Sequence, residues 1–397
     1  MLVLGVNMTF GRYRTFLFVS ILAILLQACT QIDDYMLGKD NTLLPNPLTP
    51  IQTKVNLIEK WSVTAGKPGK LNDELKLSPV VSGGVIYTAS VDGVIQATNK
   101  AKGSVLWSKQ LPHHLMSGPA VGNGHLAVAT TASTIIVLNQ ADGSTLWQTS
   151  ISSDSLGKPV ISGQHVFVKT IDGNLYSFNL KTGEKIWAVD HGSPHLILKA
   201  SSSPILMDKL VLVGFSDGKL DAVERDTGRV IWQRNIVYAN GGSDVERLVD
   251  IDADPIVHGE ELYLASYQGY VGALSLKNGE FTWRKPASIY KNMLVIGDTL
   301  FYVDSDSIIW ALNRVNGQVK WKQDALKARG LTEPVVLNHH LFVGDKLGYL
   351  HGLDMGNGQL VSRTYVNAPI FTAPVVSGSN IYVLTTNGKL SRFALHK

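Results

Sequence analysis

Short runs of alternating apolar and polar residues, separated by turns that contain glycine, recur along most of the chain. Between Pro159 and Trp187 a short apolar strand, PVIS, is followed by three further strands, QHVFVKT, NLYSFNL and KIWAV. The dipeptides Asp172-Gly173 and Thr182-Gly183 separate the last three, and such dipeptides between alternating segments are a strong short-range signal for antiparallel hairpins. The pattern therefore predicts a unit of four antiparallel strands.

This unit is repeated along the chain. A glycine followed four residues later by a tryptophan recurs at Trp107, Trp147, Trp187, Trp232, Trp283 and Trp321, in steps of 40, 40, 45, 51 and 38 residues. The next copy, NGQLVS, has no tryptophan, and we expect Val361, 40 residues further on, to stand in its place. The copies open near Pro79, Pro119, Pro159, Pro204, Pro255, Met293, Pro334 and Pro374. Four-stranded repeats of this period predict a β-propeller, in which each repeat forms one blade. We expect the tryptophan rings to pack between neighbouring blades.

The eighth copy is completed only by a strand from the other end of the chain. The segment that opens at Pro374 holds three strands before Lys397, whereas LIEKWSVT around Trp61 reads as a fourth strand with none before it. Pairing of the two would close the ring and remove its exposed edges. We therefore predict an all-β fold, a single eight-bladed propeller of four-stranded antiparallel blades over residues 57–397.

The start of the chain predicts export. Arg12 and Arg14 precede an apolar stretch from Phe16 to Leu26, which is too short for a membrane-spanning helix of about twenty residues and is typical of a secretory signal. The following LLQAC resembles a bacterial lipobox, in which Cys29, the single cysteine of the sequence, would become lipidated. Residues 1–28 are then the signal peptide. An ordinary signal peptide with an incidental cysteine is the alternative, and Met8 is a second possible start.

The residues after the cysteine predict a lipid-anchored tether. Residues 29–56 are polar and contain Pro45, Pro47 and Pro50, a composition typical of a linker. Thr30, rather than aspartate, follows the cysteine, which resembles lipoproteins that are sorted to the outer membrane. We expect the chain to be anchored through Cys29 at the periplasmic face of the outer membrane.

Composition and motifs argue against catalysis and nucleic-acid binding. Net charge is +4, only 17% of residues are charged, and the sequence has no run of lysine and arginine. It contains no HExxH, phosphate-loop or spaced zinc-ligand motif. The DSDS segment at 304–307 lacks the glycine and the distal glutamate of a calcium loop. We predict a binding scaffold without enzymatic activity, cofactor or metal.

Two consecutive irregularities in the repeat are the best candidates for a binding site. The intervals of 45 and 51 residues carry extra segments at 191–202 and 237–253, each between a fourth strand and the next first strand. Both should therefore emerge at adjacent positions on one face. An apolar tip beside charged residues is typical of a protein interface, and the residues concerned are Leu196, Ile197, Leu198, Lys199, Asp244, Glu246, Arg247, Asp250 and Asp252. Leucines folded back onto the disc, beside solvated acids, remain the alternative.

Four segments resemble a known family: GGSDVERLVDIDADPIV, PHLILK, DSDSIIWAL and the lipobox with its tether. Across essentially the whole mature length the chain resembles the BamB family, the propeller lipoproteins of the outer-membrane β-barrel assembly (Bam) machinery. The resemblance implies a scaffold that docks on the periplasmic POTRA domains of BamA, chiefly the third, and helps to deliver unfolded outer-membrane proteins. By motif, the family's docking residues fall on Leu196, Leu198, Lys199, Asp250 and Asp252, with Arg247 preceding the last two; the family has arginine where this chain has Lys199.

Two other functions share this repeat. Quinoprotein dehydrogenases build eight-bladed propellers that hold pyrroloquinoline quinone and calcium, but they carry a pair of adjacent cysteines, whereas this sequence has one cysteine. A propeller that binds a small ligand or a cell-wall polymer on its axis would need polar and aromatic residues on the first strands. Those strands read PVVS, PAVG, PVIS and PILM, which is typical of packing.

Overall fold

The computed structural model describes residues 43–69, 75–192, 202–236 and 251–396. In this part of the chain the regular secondary structure consists of 32 strands in eight four-stranded sheets, which are the blades of a propeller. No helix among the described residues is long and apolar enough to cross a membrane. The predicted all-β fold and blade number are confirmed.

We number the blades 1 to 8 in the order of their first strands. Strand β1 is Leu57–Thr64. Blade 1 comprises β2 (Val80–Ser82), β3 (Val85–Ala89), β4 (Val94–Asn99) and β5 (Val105–Gln110), and blade 2 comprises β6 (Leu115–Gly122), β7 (His125–Thr130), β8 (Thr134–Asn139) and β9 (Thr145–Ser150). Blade 3 comprises β10 (Val160–Ser162), β11 (His165–Lys169), β12 (Asn174–Asn179) and β13 (Lys185–Asp190), and blade 4 comprises β14 (Ile205–Met207), β15 (Leu210–Gly214), β16 (Lys219–Glu224) and β17 (Val230–Asn235). Blade 5 comprises β18 (Ile256–His258), β19 (Glu261–Ala265), β20 (Gly269–Ser275) and β21 (Phe281–Ala287), and blade 6 comprises β22 (Leu294–Ile296), β23 (Thr299–Val303), β24 (Ile309–Asn313) and β25 (Val319–Gln323). Blade 7 comprises β26 (Val335–Leu337), β27 (His340–Gly344), β28 (Tyr349–Asp354) and β29 (Leu360–Tyr365). Blade 8 comprises β30 (Val375–Ser377), β31 (Asn380–Leu384) and β32 (Lys389–Leu395), and β1 completes it.

The ring closes as predicted, through the two ends of the described chain. Strand β1 pairs antiparallel with β32, from Leu57 opposite Leu395 to Thr64 opposite Lys389. In the other seven blades the four strands are consecutive in sequence and joined by hairpins. The second and third strands of each blade are the most buried, and their apolar side chains form clusters that are shared by neighbouring blades. Leu212 of blade 4, for example, packs in one cluster with Leu264 of blade 5.

The recurring glycine of one blade packs against the recurring tryptophan of the preceding blade. Gly183 of blade 3 lies directly on the indole of Trp147 of blade 2, where an added Cβ would come within 2.6 Å of Trp147 Cδ2. Trp147 Nε1 donates a hydrogen bond to Leu180 O at 2.8 Å, next to that glycine turn. The same glycine contact is made by Trp61, Trp107, Trp187, Trp283 and Trp321. The predicted position of the rings between blades is confirmed, except that Gly279 lies against Arg234 rather than Trp232.

Blade 7 lacks the tryptophan, and the structure places Ser362 at that position rather than the expected Val361, because Ser362 lies opposite Gly352 as Trp107 lies opposite Ala97. Among the described blades, blade 7 is also the one whose neighbour has no glycine turn. In blade 8 the third and fourth strands, β32 and β1, come from opposite ends of the chain, so the segment before β1 takes the place of that turn. The amide nitrogens of Lys54 and Val55 both donate to Val361 O, at 2.8 and 3.1 Å. Val55 packs against the apolar cluster between blades 7 and 8. The departure from the repeat therefore follows from the way the ring closes.

Residues 45–56, predicted as the end of the tether, pack on the propeller in the structure. They belong to the same compact unit as the blades. Leu48 packs against a core cluster of blades 6 and 7, and Asn46 O accepts a hydrogen bond from Arg329 Nη1 at 3.0 Å. Arg363 Nη1 donates to Thr49 O at 2.9 Å. This segment is therefore part of the folded domain.

Candidate functional site

The two long connections join β13 to β14 and β17 to β18, and the structure describes their ends. The first is described up to Gly192 and from Ser202, and the second up to Ile236 and from Ile251. Eight of the nine predicted interface residues and the predicted lipidation site lie outside the described residues: Leu196, Ile197, Leu198, Lys199, Asp244, Glu246, Arg247, Asp250 and Cys29.

The ends of both connections meet beside Gly214, the last residue of β15. Ser202 Oγ donates to Gly214 O at 3.4 Å, and Ile251 packs so closely that a Cβ on Gly214 would come within 2.7 Å of Ile251 Cγ2. The amide nitrogen of Ser203 also donates to Asp254 Oδ1, at 2.6 Å, which joins the first connection to the second. The prediction that the two segments lie side by side on one face is confirmed for their described ends.

His191 anchors the start of the first connection. Its ring lies flat on Phe215, with centroids 3.8 Å apart and an interplanar angle of 1°. Its Nδ1 lies 2.7 Å from Asp221 Oδ2, and its Nε2 lies 3.1 Å from Asp217 Oδ2. Lys219 Nζ is 2.6 Å from the same Asp217 oxygen. The side chain of His191 is thus held on both ring nitrogens and on one face.

The two carboxylates keep His191 positively charged. Burial alone would lower the pKa of this imidazole, but its hydrogen bonds to Asp217 and Asp221 and their charges raise the pKa to about 9. Burial would likewise raise the pKa of Asp217, yet the hydrogen bonds to His191 and Lys219 lower it to about 2. At neutral pH both groups are ionised, so an electrostatic contact fixes the base of the connection.

The second connection is pinned by apolar residues at both described ends. Ile236 and Ile251 are buried in one cluster with Leu212 and Leu264. The amide nitrogen of Ile236 donates to Gly218 O at 2.9 Å. Both described ends of this connection therefore enter the core at the same place.

Asp252 is the predicted binding residue that the structure describes. Its side chain is buried, and its backbone oxygen accepts a hydrogen bond from Lys76 Nζ at 3.3 Å. The neighbouring Asp254 forms an ion pair with the same ammonium at 2.6 Å. A contact between Asp252 and a partner stays a prediction, and in this structure the residue lies at the inner end of its connection.

Sequence reasoning missed a group of charged residues on the propeller axis. Lys76, Lys158, Asp254, Lys291 and Glu333 line a cavity of about 310 Å³ on the face that carries the long connections. The first strands themselves are apolar, as expected, but Lys158, Asp254 and Glu333 come from the position just before the opening residue of their copies. Alignment of the copies at that position would have found these three residues, since it reads Ser78, Gly118, Lys158, Ser203, Asp254, Asn292, Glu333 and Ala373.

His191 was missed for a similar reason. Its partner Asp221 occupies a third-strand position that other blades fill with different residue types, for example Ile136 and Trp310. Asp217 was interpreted only as a turn residue, and its Oδ1 does accept the Lys219 amide N–H at 3.1 Å. Contact with His191, which follows the last strand of blade 3, depends on the packing of blade 3 against blade 4, and a turn motif alone does not reveal it.

Comparison with known proteins gives one consistent family. A family model described as outer membrane protein assembly factor BamB matches residues 91–323. A protein of Legionella pneumophila named outer membrane protein assembly factor BamB is 55% identical over 95% of this chain and 98% of its own length. A protein of the same name from Pseudomonas aeruginosa is 40% identical over 89% of this chain and 93% of its own.

Solved structures agree with the fold. The crystal structure of BamB from Moraxella catarrhalis superposes with a TM-score of 0.78 at 25% identity, covering 85% of this chain and all of that one. A europium-containing methanol dehydrogenase superposes with a TM-score of 0.69 at 13% identity, covering 87% of this chain and 95% of that one. The second likeness is one of fold alone.

Proposed function

Since the chain belongs to the BamB family of outer-membrane protein assembly factors, we propose that it acts as a non-enzymatic scaffold of the Bam complex, which binds BamA and assists the insertion of outer-membrane proteins. The names of its relatives support the assembly role. The partner surface is proposed to consist of the two long connections, because they are the principal departures from the repeat and their ends are joined on one face.

The proposed contact has an apolar and a charged half. Leu196 and Leu198 are proposed to bury against the POTRA domains of BamA, chiefly the third, because apolar side chains near the centre of an interface contribute most to affinity. Lys199, Arg247 and Asp250 are proposed to supply the surrounding charged contacts. A lysine ammonium lacks the planar fork of the family's arginine, so the contact at Lys199 is expected to be less directional.

Asp252 is assigned to the same site, but with a structural role instead of a direct contact with the partner. Because its side chain is buried and its backbone is held by Lys76, we expect it to act mainly by fixing the end of the second connection. The adjacent Asp250 is then the residue of this pair that reaches the partner.

The membrane anchor follows from the sequence. Cys29 is proposed to carry the lipid, at the periplasmic face of the outer membrane. Residues 45–56 pack on the propeller, so the free part of the tether would be residues 29–44. A fully extended chain spans at most about 3.6 Å per residue, so this length keeps the propeller within roughly 60 Å of the lipid.

The proposal is tested by replacing both leucines of the first connection. The double variant L196D/L198D should lose co-purification with BamA, while its melting temperature stays within a degree or two of the parent because the change lies outside the described core. A matched control is L106D/L146D, which changes two exposed leucines on the outer strands of blades 1 and 2. Unchanged co-purification of L196D/L198D, or equal loss in the control, would overturn the placement of the site.

A further inference from the structure

The axial cavity contains charged groups of both signs that form no ion pair within 4.0 Å with the described residues. Among the described residues the Lys158 ammonium donates only to Ser78 O, at 3.4 Å, which is a long hydrogen bond. The Glu333 carboxylate receives no hydrogen bond and forms no ion pair within 4.0 Å anywhere in the described parts of the chain. Both side chains line the same cavity.

The other polar groups of the cavity are satisfied and give it a fixed shape. Asp254 Oδ1 accepts from Lys76 Nζ and from the Ser203 amide, each at 2.6 Å. Asp254 Oδ2 accepts from Asn292 Nδ2 at 3.1 Å, and Asn292 Oδ1 accepts from the Asp254 amide at 2.7 Å. These contacts join blades 1, 4, 5 and 6 around Asp254. A cavity whose scaffold is complete and whose remaining charges form no ion pair with the described residues is arranged as a binding site typically is.

The two charged residues belong to blades on opposite sides of the axis. Lys158 stands just before the first strand of blade 3, and Glu333 stands at the equivalent position of blade 7. In a ring of eight blades these two are diametrically opposite. Burial lowers the pKa of the Lys158 ammonium, although the carboxylates of Asp254 and Glu333 partly offset this effect. The desolvated ammonium would gain from an anionic group close to it.

Apolar side chains complete the lining between the two charges. Leu75, Met293, Val335 and Phe371 all border the cavity. Its volume of about 310 Å³ lies at the lower end of the range for small-molecule sites, about 300 to 1,000 Å³. The ligand that fits these features has a carboxylate at one end, an ammonium at the other and an apolar group between them.

We propose that the axial cavity binds a small apolar zwitterion of the amino-acid or short-peptide class, whose carboxylate pairs with Lys158 and whose ammonium pairs with Glu333. Binding uses the isolated mature chain and needs no other protein, so its outcome is independent of the proposed assembly role.

The probe for the test is the dipeptide leucylleucine. Met293 borders the cavity and reports on it directly, whereas Met355 packs between blades 6 and 7 and serves as a reference. With the methionine methyl groups labelled with ¹³C, we expect the Met293 resonance to shift and saturate as leucylleucine is added, while the Met355 resonance stays in place. No saturable shift of Met293 up to the solubility limit of the dipeptide would overturn the proposal.

Blocked dipeptides then test each charge separately. N-acetyl-leucylleucine lacks the ammonium and leucylleucine amide lacks the carboxylate, and each should bind about tenfold or more weakly, as expected for the loss of one charged hydrogen-bonded contact. If only one of the two modifications weakens binding, the site takes a simple anion or cation and the zwitterion assignment is wrong.

Variants assign the charges to residues. K158M should bind leucylleucine and its amide equally weakly, and E333Q should bind leucylleucine and its N-acetyl form equally weakly. K102M and E280Q change exposed residues of the same types and should bind as the parent does. Persistence of the parent's discrimination in K158M and E333Q would overturn the assignment, and because the dipeptides are compared within each folded variant, a change in stability does not obscure the result.

Discussion

Gly183 lies on the indole of Trp147 so closely that a Cβ on the glycine would come within 2.6 Å of Trp147 Cδ2. The positive φ of 74° at Gly183 would also strain any other residue there. This pair links blades 2 and 3, and five further tryptophans make the same contact elsewhere in the ring.

The first prediction separates the steric contact from the backbone strain. Gly163 has a similar positive φ of 57°, but nothing lies within 4 Å of its added Cβ. We expect G163A to lower the free energy of unfolding by about 1 kcal/mol through strain alone. G183A should lower it by roughly a further 1–3 kcal/mol because the methyl group displaces the indole. Equal effects of the two variants in urea unfolding would contradict a role for the glycine–tryptophan contact in holding blades together.

The second prediction concerns the charge on His191. Its pKa is raised from 6.5 to about 9 in the folded chain, so the stabilisation it provides is complete below pH 6.5 and is lost as the pH rises through 9. We therefore expect the stability advantage of the parent over H191Q to shrink across this interval. The pKa itself is measured by NMR titration of the imidazole. A midpoint near 6.5 would contradict the paired geometry with Asp217 and Asp221.

The same cluster predicts the opposite behaviour in acid. The pKa of Asp217 is lowered from 3.8 to about 2, so its contribution is present above pH 3.8 and is lost as the pH falls through 2. Between pH 3.8 and pH 2 the parent should therefore lose more stability than the D217N variant does. Melting temperatures of the parent and D217N across this range test the expectation, and identical profiles would contradict it.

The third prediction concerns the ion pair on the axis. D254N should lower the free energy of unfolding by about 3 kcal/mol, because an amide places a donor where Lys76, Ser203 and Asn292 already donate. The exposed pair of Lys277 and Glu260 has the same distance of 2.6 Å and serves as the control. K277M should change stability by less than about 1 kcal/mol. Similar effects of D254N and K277M in chemical denaturation would show that the axial pair is not structurally important.

The fourth prediction concerns the segment before β1. A chain that begins at Asn56 lacks Leu48 and Val55, which pack against the cores at blades 6 to 8. Loss of two such side chains should lower the free energy of unfolding by about 3 kcal/mol relative to a chain that begins at Pro45. Equal unfolding curves for the two chains would mean that this segment does not stabilise the propeller.

The blade architecture could be predicted from the sequence because the same sequence pattern recurs in each blade. Each copy repeats the turn dipeptides and the tryptophan, so one misread strand does not change the blade count. Even the missing tryptophan of blade 7 was visible as a departure, although its position was assigned to Val361 instead of Ser362, and the reason for the departure was not visible. That reason requires knowing that residues 54 and 55 bind Val361 O, a contact across about 300 residues of sequence.

The candidate site was predictable only in outline. Two long intervals located the connections, since residues added between two blades of fixed strand length must leave the sheet as a loop. The His191 cluster and the axial charges were missed because each depends on single positions that come together only when the ring is closed. Lys158 and Glu333, for example, belong to one cavity because their blades are opposite, and neither residue stands out within its own copy.

Closure of the ring by its two ends has a consequence for how the chain folds. Glu59 and Ser391, which are hydrogen-bonded in blade 8, are separated by 332 residues in the sequence. Blade 8 therefore forms only after the far end of the propeller has been synthesised, while blades 1 to 7 can form from neighbouring strands. Until then β1 is an unpaired edge, and long-range contacts of this kind form slowly. Before β32 pairs with β1, the chain is most susceptible to aggregation and proteolysis. This susceptibility ends when the last three strands, β30 to β32, are synthesised and blade 8 forms.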